Sequence, residues 1–289
     1  VGKSVQVPPR ALLVDKPAGP TSHDVVATCR RALGGPRTGH TGTLDPFATG
    51  LMVILVGRAT RLAPFISGLD KTYLAGLRLG ARSESGDPDG PITAGGPPPD
   101  EAGLRDALSA MVGESRQQVP ALSAVKVDGE RLYALTRRGE QVERPTRTVV
   151  VERADLVSYD PMTGHALVEL RCGPGTYIRQ LAADVGERLG CGAYCHELRR
   201  TDVGSLSVSG AIALDQLAPG CGMEPIEVVG HLPRVDLDDR AAADIAHGRR
   251  VQGAPPGEVG PIALAHHGEL LAVAEAADGV LKPRVVLTG

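Results

Sequence analysis

The sequence predicts an α+β protein, with a helix-bearing sheet domain followed by a small β-rich tail module. Three observations carry this. Short apolar or alternating runs bounded by Gly and Pro recur along the chain, as in "LMVILVG" (51–57), "KTYLAGLRLG" (71–80) and "HALVELRC" (165–172). Between them stand segments with apolar residues at helical spacing, the longest over 178–189. Beyond about residue 230 the pattern shifts to one short helix and then two strand-like runs, "IALAHHGELLAVAEA" and "LKPRVVL".

The first nine residues, "VGKSVQVPP", read as a flexible leader (1–9) outside the fold. A short apolar strand at 11–14 leads through a Pro/Gly turn into a helix, with Ser22 as its N-cap, Val25, Val26, Cys29 and Leu33 as its apolar stripe, and Gly34 as its stop. "LMVILVG" reads as a buried strand, "RATRLAPFI" as a short helix and "KTYLAGLRLG" as an alternating strand. The Gly-, Pro- and Asp-rich stretch from 81 to 100 reads as a loop, and residues 100–112 as a helix with Leu104, Ala107, Leu108 and Met111 inward. "SAVKVDGERLYALTRRGEQVERPTRT" is basic, lacks a core of its own and reads as an element ordered on binding. Strands are predicted at 148–158 and 165–172, the latter with Ala166, Val168, Leu170 and Cys172 on one face. "GPGTYIRQLAADVGERLG" then enters a helix through a glycine turn, with Ile178, Leu181, Ala182, Val185 and Leu189 as its stripe. A last helix at 239–247 precedes the tail strands, and a domain boundary falls near residue 230.

At 289 residues the chain accommodates one large domain, or one large domain with a small appendage. It contains five Tyr, two Phe and no Trp, so its core must be built from Leu, Val and Ala, and each Tyr is a distinct candidate for stacking on a base. A formal net charge of −3 argues against a protein that coats nucleic acid non-specifically. Arginines nevertheless cluster at Arg30/Arg31, Arg58/Arg61, Arg137/Arg138, Arg144/Arg147, Arg199/Arg200 and Arg249/Arg250. Any one pair is ordinary on a solvated face; together they allow a local phosphate-binding surface. Five cysteines without a secretory signal suggest free thiols in a reducing cytoplasm. Cys191, Cys195 and His196 lack a second ligand pair at zinc-like spacing and read as buried or incidental. No apolar run reaches 18 residues, so no membrane span is expected.

The chemistry concentrates in "GHTGTLDPFATGLMVILVGRATRL" (39–62), which sets Asp45 in a tight Gly/Pro-bounded loop before a strand. A carboxylate there serves as a metal ligand, a general base or a covalent nucleophile, or forms an Asp-Pro turn with no chemistry at all. Further metal ligands are lacking nearby, and acid/base work on a sugar ordinarily asks for a second carboxylate. Two other segments stand out. "GPGTYIRQL" sets Tyr177 and Arg179 at the first turn of a helix, where backbone N–H groups favour anions, and "DKTY" presents Tyr73 at the start of a strand.

"LLVDKPAGPTSHDVV", "GHTGTLDPFATGLMVILVGRATRL", "KTY", "RCGPGTYIRQLAADVGERLG" and "LRRTDVG" follow one another in order from about residue 11 to 204. In that order they resemble the motifs of the bacterial tRNA pseudouridine synthases of the TruB type, which modify uridine 55 in the T-arm of tRNA. The resemblance implies a pseudouridine synthase fold: a central mixed, largely antiparallel sheet flanked by helices over 10–229, and a PUA-like RNA-binding module over 230–289. It implies that Asp45 is the catalytic carboxylate, attacking C1′ or assisting a glycal-type route while the uracil anion leaves and returns through C5. Arg179 matches the arginine that pairs with the aspartate, and Tyr73 the tyrosine that stacks on the target base. His40 matches a histidine that helps extract the base, while Tyr177 and Leu198 match residues lining the uracil pocket. Asp87, in a family-like acidic loop, is a weaker candidate for substrate contact. Lys126 and the arginines of 121–147 match a mobile thumb that closes over RNA through phosphate contacts.

The implied partner is the tRNA T-arm stem-loop, bound with base extrusion, with no metal, no cofactor and no obligate protein partner, by a cytoplasmic monomer. The chain departs from the family where Gly173 and Pro174 replace the usual serines after "RC", where 91–100 reads as a local insertion or an unusually Pro/Gly-rich loop, and after residue 230, where the similarity is looser. Two other readings compete with an isomerase: a tRNA-binding or folding module with secondary catalysis, and a hydrolase or lyase that releases free uracil.

Overall fold

The computed structural model describes residues 8–120, 123, 125–127, 129–132, 135, 138 and 142–287. In chain order the elements are β1 (Arg10–Lys16), α1 (Ser22–Ala32), β2 (Thr38–His40), β3 (Thr49–Val56) and β4 (Lys71–Leu79). Next come α2 (Glu101–Ser109), β5 (Gly113–Gln118), β6 (Thr146–Asp160), β7 (His165–Cys172), α3 (Ile178–Arg188) and β8 (Ala193–Val203). The chain closes with β9 (Ile212–Ala213), β10 (Arg234–Asp236), α4 (Asp239–Ala246), β11 (Val251–Gln252), β12 (Gly260–His266), β13 (Glu269–Ala277) and β14 (Val280–Val286). Two compact units result: the described residues within 1–45, 50–68 and 203–289 form the first, and those within 46–49 and 69–202 the second.

In the first unit β1 runs antiparallel to β3 from Arg10↔Val56 to Lys16↔Gly50 and parallel to β9 at its other edge. β2 pairs with β3 as far as His40↔Ile54. Gly50 through Val56 are all buried, which is why this strand reads as an unbroken apolar run and not an alternation. The same unit carries a five-stranded sheet in the order β10-β12-β13-β14-β11. Its core is aliphatic, with Ile245 of α4 packed among Ile262, Leu264, Ala272, Ala274 and Leu281.

In the second unit the strand order is β8-β4-β7-β6-β5. β7 pairs antiparallel with β4, setting Tyr73 opposite Leu170, and with β6, which in turn pairs antiparallel with β5. The residues expected inward on β7, Ala166, Val168, Leu170 and Cys172, are buried, as are Ile178, Leu181, Ala182 and Val185 of α3. Leu189 caps α3 and is only half-buried. Among the described buried residues the aromatic side chains are Tyr73 and Tyr194, so the core is aliphatic as the composition requires.

Several local expectations change. Thr21, not Ser22, caps α1: its side chain accepts from the Asp24 amide at 3.1 Å and the Asp24 carboxylate accepts from the Thr21 amide at 2.9 Å. That reciprocal arrangement needs an acidic residue three positions on, which only Thr21 has. The 81–100 stretch contains a hairpin, Ala81–Ser83 against Ile92–Ala94, that leaves Ile92–Ala94 exposed and so carries no hydrophobic signature. β5 and β8 carry no strand signature in the sequence because polar side chains interrupt both, and Leu198 lies on β8. Residues 1–7 of the expected leader and much of the expected thumb lie outside the described residues. Within the thumb, the backbone of Lys126–Val127 pairs with Glu130–Arg131. Among the described residues no helix is long and apolar enough to cross a membrane.

Candidate active site

In the first unit the end of β2 and the loop that follows it carry His40 and Asp45. His40 ends β2 opposite Ile54, and the Thr41 amide continues the ladder to the Val53 carbonyl at 3.1 Å. The loop is then clamped from α1: the buried Ser22 hydroxyl donates to the Leu44 carbonyl and accepts from the Leu44 amide, both at 2.8 Å. Because Thr21 takes the capping role, Ser22 is free to hold the residue immediately before Asp45. Ser22→Ala leaves two buried backbone groups without this partner. It is expected to destabilise the protein by about 1–3 kcal/mol, read as a lowered urea midpoint at unchanged m-value. An unchanged midpoint would mean that the clamp contributes nothing.

Lys16, at the end of β1, was not singled out from the sequence. Its side chain is fully buried, and its ammonium donates to the Pro17 carbonyl at 2.9 Å. Burial pushes its pKa down to about 8, and the negative charge of Asp45 opposes that fall. The catalytic candidate therefore carries a lysine counter-charge from its own unit, one that titrates within a working pH range.

In the second unit Arg179 and Asp87 form a buried pair, Nη1 to Oδ2 at 3.1 Å, with side-chain exposures of only 4% and 11%. The same Nη1 donates to the Ser85 carbonyl at 2.7 Å. Asp87 Oδ1 accepts from the Ser85 hydroxyl at 2.5 Å and the Asp89 amide at 3.2 Å, so the acidic loop folds around one guanidinium. Gly86 makes this possible: its φ is +78°, and a Cβ there would lie 3.3 Å from Arg179 Cβ. Tyr177 precedes α3, with its peptide gripped by the Gln117 side-chain amide, N to Oε1 at 2.8 Å and Nε2 to O at 3.0 Å. The Arg147 guanidinium lies 5.0 Å from the centre of the Tyr177 ring and also donates to the Gly175 carbonyl at 3.2 Å.

Tyr73 on β4 and Leu198 on β8 are both buried, on strands adjacent in the sheet order. Thr49, just after the Asp45 loop, sits at the 3.5 Å limit of hydrogen bonding to the Leu198 carbonyl and to Arg199. Arg179, Asp87 and Tyr177 are thus brought into one neighbourhood in the second unit, and His40 and Asp45 lie at the end of β2 and in the loop that follows it in the first. Lys16, Ser22 and Gln117 are additions that the sequence did not announce. The arginine pairs do not all behave as surface charge: Arg200 is buried, while Arg58 and Arg61 donate to the carbonyls of Leu287 and Val286. Cys191 and Cys195 are buried, with thiols donating to backbone carbonyls at 3.3 and 3.2 Å.

This architecture defines an α+β pseudouridine synthase fold. It superposes on a chain in the crystal structure of a Cbf5–Nop10–Gar1 complex with a TM-score of 0.76 and 26% identity, over 96% of this chain and 85% of that one. Residues 30–178 match the N-terminal domain of the TruB family pseudouridylate synthases, 179–223 the C-terminal domain of tRNA pseudouridylate synthase B, and 233–287 the C-terminal domain of pseudouridine synthase II TruB. A tRNA pseudouridine synthase B from Azoarcus sp. (strain BH72) is 39% identical over 94% of this chain and 93% of its own length. One from Parasynechococcus marenigrum (strain WH8102) is 42% identical over 95% and 96%. The chain belongs to the TruB family of pseudouridylate synthases and is accordingly an enzyme of the isomerase class.

Proposed function

We propose that the protein converts uridine 55 in the T-arm of tRNA to pseudouridine, with Asp45 as its single catalytic carboxylate. The observation that carries this reading is the unbroken "GHTGTLDPFATG" segment in a chain of the TruB family, with Asp45 held in a clamped loop. The reaction needs little else. The N1–C1′ bond breaks, the uracil anion turns, C5 bonds to C1′, the C5 proton leaves to solvent and N1 takes up a proton. Atoms and electrons balance without an oxidant or reductant. A carboxylate that adds to C1′, or accepts a proton next to it, stabilises the electron-poor sugar while the base is detached. No second acid is required, because the departing base is also the returning nucleophile and no water is to be activated.

The other residues follow in supporting roles. Arg179 acts as the arginine partner of the catalytic carboxylate, and Asp87, Ser85 and Gly86 fix its guanidinium. Tyr73 stacks on the extruded pyrimidine, Tyr177 and Leu198 bound its pocket, and His40 assists extrusion. Gln117 and Arg147 hold Tyr177 in place. Lys126 and the neighbouring arginines contact phosphate, and residues 230–289 form a further RNA-binding module. Binding should then weaken steeply as salt rises.

The test is a tRNA transcript tritiated at C5 of its uridines. One tritium released per transcript, none from a transcript carrying cytidine at position 55, and no free uracil is the expected result. Release of uracil would make the protein a hydrolase, and tight binding without release would leave it a tRNA-binding relative. A pH series adds a finer check. Lys16 loses its proton as pH passes about 8, and the charge beside Asp45 goes with it. Single-turnover rates are expected to fall above that pH in wild type and to hold to higher pH in Lys16→Arg, which stays charged. Superimposable profiles would remove Lys16 from the mechanism.

A further inference from the structure

The C-terminal five-stranded sheet contains a cluster that pseudouridine formation does not use. Asp239 opens α4, His266 ends β12, and His267 occupies the turn into β13. Asp239 Oδ1 lies 2.9 Å from His266 Nε2 and 3.6 Å from His267 Nε2. The two imidazoles sit 3.9 Å apart, centre to centre, tilted by 43°. One ligand-type atom from each of the three residues falls within 4.8 Å of the others.

The backbone explains how two consecutive imidazoles come to share one side of the sheet. His267 and Gly268 both have positive φ, +50° and +83°, which makes the β12–β13 connection a two-residue turn with both central residues left-handed. That geometry favours Asn-Gly or Asp-Gly, and histidine is, with Asn and Asp, among the non-glycine residues that adopt it most readily. The adjoining β13–β14 turn obeys the rule, with Asp278 at +52° and Gly279 at +75°. Two turns of one type in one sheet thus differ in that one carries a histidine where the other carries an aspartate. The left-handed conformation has a geometric consequence. Consecutive side chains of an extended strand point to opposite faces, whereas the left-handed residue turns the second imidazole back beside the first, and both meet Asp239.

We propose that Asp239, His266 and His267 form a binding site for a divalent transition-metal ion of the zinc class on the C-terminal module. Two imidazoles and a carboxylate suit zinc, nickel or copper, whereas magnesium and calcium take oxygen ligands. In a tetrahedral zinc site with bonds of about 2.0–2.1 Å, neighbouring ligand atoms lie about 3.3 Å apart. The two separations from Asp239 Oδ1, 2.9 and 3.6 Å, bracket that value, and all three ligand atoms lie within 4.8 Å of one another. His267 and Asp239 are 79% and 89% exposed, so an ion has an open approach and a fourth position for water. Bound there, it ties the start of α4 to the β12–β13 turn.

The test is zinc titration of the full chain against a chromophoric chelator, in wild type, His267→Asn and Asp239→Asn. His267→Asn is a safe probe of folding, since Asn-Gly is a preferred pair in such a turn, and the metal-free variant should melt no lower than wild type. One zinc is expected per wild-type chain at this site, undisturbed by millimolar magnesium. Its affinity is expected to drop at least tenfold in both variants, and zinc is expected to raise the melting temperature of wild type alone. Wild-type protein that binds no zinc, or variants that bind it as tightly as wild type, would overturn the proposal. In the second case the bound zinc would sit elsewhere, for instance on the cysteine thiols.

Discussion

Asp45→Asn is expected to abolish tritium release while leaving tRNA binding intact. The substitution preserves size and shape, and the Ser22 hydroxyl still holds the Leu44 peptide at 2.8 Å on both sides. What disappears is the anion. A neutral amide neither adds to C1′ at a useful rate nor accepts the proton of a glycal route, so single-turnover rates should fall on the order of 10⁴-fold or more. Affinity for tRNA, which the proposed phosphate contacts would carry, should change less than about threefold. A second consequence is specific to this site. Lys16 loses the charge that counteracts the effect of its burial, so its pKa should drop further below about 8. A variant that kept release within a hundredfold of wild type would remove Asp45 from the chemistry and leave its loop a turn.

The legible parts of the protein were those written locally. The Asp45 loop, the inward face of β7 and the stripe of α3 each depend on residues close in sequence, where periodicity or a long motif carries the signal. The illegible parts depend on partners far along the chain. Ser22 and Leu44 meet across 22 positions, Gln117 and Tyr177 across 60, and Arg179 and Asp87 across 92. A hydroxyl in the first turn of a helix looks like a cap, and a glutamine in "GESRQQ" looks solvated; only the fold shows what each of them holds. Lys16 was hidden for the same reason, since a lysine at a strand end is ordinary until the sheet buries it. The hairpin within 81–100 marks another limit: its second strand, Ile92–Ala94, is exposed, and a strand that buries nothing has no pattern to read.

Arg179 offers the sharpest separation of structure from chemistry. Arg179→Met with Asp87 intact strands a buried carboxylate, and losing one member of such a pair costs about 3–5 kcal/mol. The melting temperature should drop and turnover should vanish, but a fall in both alone does not say whether the arginine reacts or merely supports. The double variant Arg179→Met, Asp87→Asn removes the stranded charge. Much of the lost stability should return, because a neutral side chain beside Ser85 and the Asp89 amide still has hydrogen-bond partners. Activity should not return with it if Arg179 is the partner of the catalytic carboxylate. Asp87→Asn alone completes the cycle: the guanidinium keeps the Ser85 carbonyl at 2.7 Å but loses its ionic anchor, so activity should fall partway. Recovery of both stability and activity in the double variant would make the pair a fold element and nothing more. Recovery of stability without activity would assign the arginine to the reaction and Asp87 to holding it there.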